Sequence, residues 1–159
     1  MNHLQIPENF LPISVLEPKA DAAGRTGAWV SLKSAVRAWV EFYVDQGNAA
    51  TIAVSINQAS AIAGTGSKVI TNAVPIWANQ DCDASAFTRA TDAVNFTTSA
   101  AVKKKIVIFE IDPATLDVAG GFDCITVITG ASNAANITSA KIWLETIYGQ
   151  ATPINAKAD

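Results

Sequence analysis

Apolar and polar residues alternate with a period of two through much of this chain. Val36, Ala38, Val40, Phe42 and Val44 fall on one side of an extended run, and Arg37, Trp39, Glu41 and Tyr43 fall on the other. Successive side chains of a strand point to opposite faces, so this run predicts a half-buried strand with aromatics on its wetter side. Asp45-Gln46-Gly47-Asn48 supplies turn chemistry, and Ile52, Val54 and Ile56 then alternate inward between Thr51 and Asn57. The two runs together predict a β-hairpin with a connection longer than the tightest turns.

Further strands are predicted where the alternation resumes. Ala73 to Ala78 is extended, and Pro75, which lacks a ladder donor, places it at an edge or a strand start. Asp92 to Thr97 gives a short strand through Val94 and Phe96. Lys105 to Asp112 is nearly all apolar and predicts a central strand covered on both sides. Asp112-Pro113-Ala114-Thr115-Leu116 predicts one helical turn with an Asp cap and proline at its first position. Phe122 to Thr129 is the next strand and Thr138 to Ile147 the last. Over 139–147 a helix is the competing reading, since Ala140, Leu144 and Ile147 fall at helical spacing, but Lys141, Trp143 and Glu145 alternate with Ile142 and Leu144 and favour a strand.

About eight strands with almost no amphipathic helix predict an all-β fold, an antiparallel β-sandwich that is jelly-roll-like. An immunoglobulin-like sandwich or a small barrel would show the same periodicity. Pro7, Pro12 and Pro18, followed by a Gly- and Ala-rich stretch, predict an extended N-terminal arm over 1–27, with one short strand at Ile13 to Leu16. Such an arm is either frayed or tied down on a partner. The sandwich is expected over 28–149 and a flexible C-terminal tail over 150–159.

Composition narrows the class. Of 159 residues, 50% are hydrophobic and 16% charged, enough apolar surface for a full core and too much for a disordered chain. The formal net charge is -3 and the one basic cluster is Lys103-Lys104-Lys105, a balance that speaks against a nucleic-acid partner. That cluster is expected to solubilise the flank of the most apolar strand. Met1 to Phe10 does not read as a secretory signal, and no apolar stretch is long enough to span a bilayer, so no membrane partner is expected. Cys82 and Cys124 are expected as free thiols.

Candidate chemistry is sparse. His3, the only histidine, has no second histidine to complete a catalytic or zinc site. Asp81-Cys82-Asp83 places two carboxylates and a thiol on one loop, but the flanking sequence matches no calcium loop and a solvated turn accounts for it. Ala63-Gly64-Thr65-Gly66-Ser67-Lys68 lacks the glycine-lysine order of a phosphate loop, and its glycines are expected to serve a turn needing positive φ. Asn95-Phe96-Thr97 and Asn136-Ile137-Thr138 fit the glycosylation pattern, which means little without a secretion signal. The carboxylate pairs Glu41 with Asp45 and Asp81 with Asp83 stay open as a glycan-hydrolysing arrangement. The reading is nonetheless of a non-enzyme with no catalytic residue, metal or cofactor. The residues expected at an interface with another polypeptide are Pro12, Val15, Trp39, Tyr43, Trp77 and Trp143, because Trp39 and Trp143 sit opposite the aliphatic series of their strands.

Several stretches resemble a family of small structural proteins of tailed bacteriophages found beside the major capsid protein. They are Phe42 to Gly47 leading into Thr51 to Gln58, Val74 to Asn79, Ala93 to Thr98 with Lys105 to Asp112, and Phe122-Asp123-Cys124 followed by Thr129 to Ala140. The resemblance spans 42–140, contains no chemical motif and carries over no functional residue. It implies a virion protein of the head, a decoration or cement subunit on the capsid surface with the major capsid protein as partner, assembled in the host cytoplasm. A homotrimer would match lattice symmetry. The alternative is a head fibre, spike or tail-associated module that binds a host surface or glycan.

Overall fold

The computed structural model describes residues 6, 8–149 and 152–158, so His3 lies outside the described residues. Twelve strands follow in order: β1 (Phe10–Ala20), β2 (Arg25–Thr26), β3 (Val30–Ser31), β4 (Ala35–Gln46), β5 (Ala53–Ala59), β6 (Lys68–Val69), β7 (Ile76–Asn79), β8 (Thr88–Arg89), β9 (Asn95–Thr97), β10 (Lys104–Ile111), β11 (Cys124–Thr129) and β12 (Asn136–Thr146). They form two antiparallel sheets. The first has the order β1-β12-β4-β10-β7-β8, and the second runs β2-β11-β5-β6, with β3 on β11 and β9 on β5. The count exceeds eight because β2, β3, β6 and β8 are pairings of two residues, too short to show a periodicity.

The core lies between the sheets and follows from alternation. Ile13, Ile142, Val40, Phe109 and Ile76 form one row across five strands of the first sheet, all facing inward. Phe42 and Phe109 meet edge to face at 5.8 Å between centroids. Val54 and Ile56 from β5 and Ile125 and Val127 from β11 close the core from the second sheet, each with no exposed surface. Burying such side chains contributes about 1.5–3 kcal/mol each relative to leaving them in water. Residues 136–146 are a strand, paired along their length with β4. Asp112 caps the turn at Pro113–Thr115, its carboxylate accepting from the Ala114 backbone N–H at 2.9 Å.

The expected hairpin of 36–57 does not form. β4 pairs with β12 and β10 in one sheet, while β5 pairs with β11, β6 and β9 in the other. Both runs are apolar on one side only, and facing one another across the core satisfies that pattern as well as pairing would. β10 is central, but Ile106 and Ile108 on its outer side are only half-buried, because no layer covers that face.

The segment read as an arm is extended, but residues 10–20 of it are strand β1, hydrogen-bonded to β12 of the same chain. Val15 is the extra residue of a bulge between Ser14 and Leu16, which turns both Val15 and Leu16 into the core. Val15 is therefore a core residue, not an exposed interface residue. A second irregularity between Leu16 and Lys19 accommodates Pro18. At the other end the described tail is anchored: the Ser31 N–H donates to the Ala156 carbonyl at 2.9 Å, and Ala156 is buried.

Lys105 also departs from expectation. It faces inward with no exposed surface, and its ammonium donates to Gln46 Oε1 at 2.8 Å, Ser99 O at 2.6 Å and Ser99 Oγ at 3.0 Å. Strand register decides this, since Lys105 alternates in phase with Val107 and Phe109. Lys103 pairs with Asp81 at 3.1 Å, and exposed Lys104 makes no ion pair among the described residues.

Candidate interaction face

Alternation that fills the core from one side of the first sheet leaves the other side to solvent. Pro12, Trp143, Trp39 and Glu110 form one outward row across β1, β12, β4 and β10. The next outward row is Ser14, Lys141, Glu41, Ile108, Trp77 and Arg89, and Tyr43 lies beyond it beside Ile106 and Ser139. Five of the six residues singled out from sequence, Pro12, Trp39, Tyr43, Trp77 and Trp143, thus share one face, and Val15 does not.

Their environments differ. Pro12 is exposed and Tyr43 is 37% exposed, whereas Trp39, Trp77 and Trp143 are half-buried by their neighbours. The Arg89 guanidinium sits over the Trp77 ring at 5.6 Å and is itself held by Asp92. Trp39 meets Phe10 at 5.8 Å with the rings tilted by 49°. Trp143 donates its indole N–H to Glu41 Oε2 at 3.0 Å. An open recess of about 290 Å³ on this face is lined by Ile6, Phe10, Trp39, Glu41, Ile108 and Trp143.

Phe10, Ile108 and Glu41 were not singled out as contact residues from the sequence. Ile108 falls on the outward phase of β10, so its exposure was legible once that strand was known to be uncovered. Phe10 joins the site only through the β1–β12 register, which places it opposite Glu145, two positions from the Pro12–Trp143 pair.

The free edge of β1 is closed from Ser14 to Lys19. Lys157 Nζ donates to the Ser14 carbonyl, the Ala28 N–H to Val15 O at 2.8 Å, and Arg25 to Glu17 O and Lys19 O at 2.8 and 2.9 Å. Pro12 and Pro18 bring no N–H. With the carbonyls of Ser14, Val15, Glu17 and Lys19 occupied, that stretch does not accept a further strand, which leaves contact through side chains.

The other candidates resolve into local structure. Asp81 pairs with Lys103 and its Oδ1 accepts from the Asp83 N–H at 3.3 Å, and burial, ahead of the neighbouring carboxylates Asp83 and Asp81, raises the Cys82 thiol pKa. Cys82 and Cys124 form no disulfide. Gly64 and Gly66 have φ of 78° and 67°, the left-handed values a turn there requires. The Asn136 side chain is fully buried and occupied by the Ala50 carbonyl, Ser132 Oγ and the Asn48 N–H, so it is closed to glycosylation in the folded chain. Among the described residues no group of three or more His, Cys, Asp or Glu side chains could hold a metal ion, and no helix is long and apolar enough to cross a membrane.

The sequence matches no protein-family profile and no curated protein. Among solved structures it is similar to the SPBc2 prophage-derived protein YomS, at 8% identity and a TM-score of 0.49, covering 91% of this chain and 99% of that one. It also shows likeness to a "putative sugar binding protein" from Bacteroides thetaiotaomicron, at 14% identity and a TM-score of 0.30, covering 77% of this chain and 65% of that one.

Proposed function

We propose that this chain is a non-enzymatic structural protein of a tailed-bacteriophage virion, a decoration or cement subunit that binds the outside of the capsid through the outer face of its first sheet. The observation that carries the reading is the concentration of Trp39, Trp143, Phe10, Trp77 and Ile108 on a sheet face against which no second sheet packs among the described residues. Aromatic anchors surrounded by polar residues are the usual core of a protein interface. The resemblance of 42–140 to small head proteins supports the identity of the partner, the major capsid protein. A cement subunit lowers the free energy of the assembled lattice by binding it and not the free subunits. In this reading the jelly-roll-like sandwich is a rigid platform, and a homotrimer places three such faces on a threefold position of the lattice.

The test is co-sedimentation of the purified protein with capsids that lack it, followed by electron microscopy of the saturated particles. Regular, high-copy density on the outer surface is the expected result, with binding lost in the Trp39→Ala/Trp143→Ala variant. A few copies at the neck or tail, or a double variant that binds undiminished, would overturn the reading. A head-fibre or spike module would instead give hits on a glycan array.

A further inference from the structure

We propose that the recess bounded by Trp39, Trp143 and Glu41 is a socket for one cationic side chain, arginine or lysine, of the partner protein. This rests on the reading that the outer face of the first sheet is the docking face. Three features specify the charge of the occupant. The walls are aromatic, Phe10 and Trp39 tilted together and Trp143 beside them, and ring faces carry negative potential that attracts a cation. Among the described residues Glu41 is the one ionisable side chain lining the recess. The Trp143 indole N–H holds Glu41 through Oε2, and Oε1 accepts no hydrogen bond from a described residue. A carboxylate half-withdrawn from water, fixed through one oxygen and open at the other, favours a positive group over a neutral one.

Neighbouring charges do not cancel this preference. Lys141, opposite Glu41 on β12, is exposed, does not line the recess and makes no ion pair among the described residues, while the β10 neighbour of Glu41 is Ile108. The volume of about 290 Å³ is on the scale of a single long side chain, not of an extended ligand. Such a side chain can lay its aliphatic stem on Ile108 and Phe10 and its charged head against Glu41, as long basic side chains do where apolar surface borders a polar group. Arginine adds stacking of its planar head on indole.

The test titrates the protein with N-acetylarginine amide, N-acetyl-lysine amide and the neutral N-acetylnorleucine amide, following the Trp143 indole N–H by NMR. The cationic probes are expected to shift that resonance at about tenfold lower concentration than norleucine amide. Glu41→Gln, which keeps an acceptor for the indole, is expected to remove the difference and to weaken capsid binding by about the same factor. Equal binding of norleucine amide, arginine binding unchanged in Glu41→Gln, or a neutral oligosaccharide that outcompetes arginine amide would each overturn the socket. The two readings fail separately. Capsid binding that needs Trp143 but not Glu41 keeps the docking face and removes the socket, and Glu41-dependent arginine binding by a protein that ignores capsids does the reverse.

Discussion

The two outer faces of the sandwich are built on the same alternation and carry opposite surfaces. On the first sheet the outward positions are Trp39, Trp143, Ile108, Trp77 and Tyr43. On the second they are Ala53, Ser55 and Asn57 of β5, Val69 of β6, Asn95 and Thr97 of β9, and Thr126 and Ile128 of β11, with no tryptophan among them. Thr126 is buried there, and its hydroxyl donates to the Gly27 carbonyl at 2.8 Å, so the chain itself covers part of that face. A sheet face exposed to water has no folding reason to carry three tryptophans, whereas small polar residues suffice for solubility. The difference separates what folding needs, met equally by both sheets, from what recognition needs, present on one.

The largest expected effect tests the shared part. Phe109→Ala removes an inward ring that packs on Phe42, and it should cost about 3–5 kcal/mol of stability in urea titration. Both faces would suffer together, and a loss much below that range would mean that the core repacks around the gap.

Next comes the contrast itself. Trp39→Ala with Trp143→Ala should weaken capsid binding by about 100-fold, the scale of hot-spot anchors, at a smaller stability cost than the core substitution. Equal losses in binding and in stability would show that these rings serve folding and would dissolve the contrast between faces.

A titration separates the interior from both faces. Burial lowers the pKa of Lys105. Between that lowered native value and the ordinary lysine value of about 10.4, the unfolded chain holds more protons than the native one, so stability should rise with pH through this window. Below the window the buried ammonium costs stability, and its acceptors Gln46 and Ser99 offset part of that cost. Urea midpoints measured from neutral to alkaline pH should show the rise in the wild type and lose it in Lys105→Met. An alkaline rise that survives in the variant would assign it to another group.

The smallest effect is a control on the second sheet. Ser55→Ala with Asn57→Ala should change stability by no more than about 0.5 kcal/mol per site. Capsid binding, measured by the same co-sedimentation, should stay unchanged. A binding loss here would move the docking face to the other side of the sandwich.

Sequence alone determined the local facts. Period-two alternation placed the long strands β4, β5, β10, β11 and β12 and set which of their side chains share a face, because that period follows from strand geometry. It also put Trp39 and Trp143 opposite the aliphatic series, and the Asp112 cap and the glycine turn at 64–66 were readable from the residues that such geometries require. Only the tertiary structure decided which strands are neighbours. A strand with one apolar side is satisfied by any partner that continues the core, so the pattern could not tell a β4–β5 hairpin from two strands facing across the interior. The same choice of neighbours took Val15 and Lys105 inside, tied down β1 and Ala156, and brought Phe10 and Ile108 beside Trp39, Trp143 and Glu41. A candidate site assembled from four strands exists only through register, and register is set by the packing of the whole sheet.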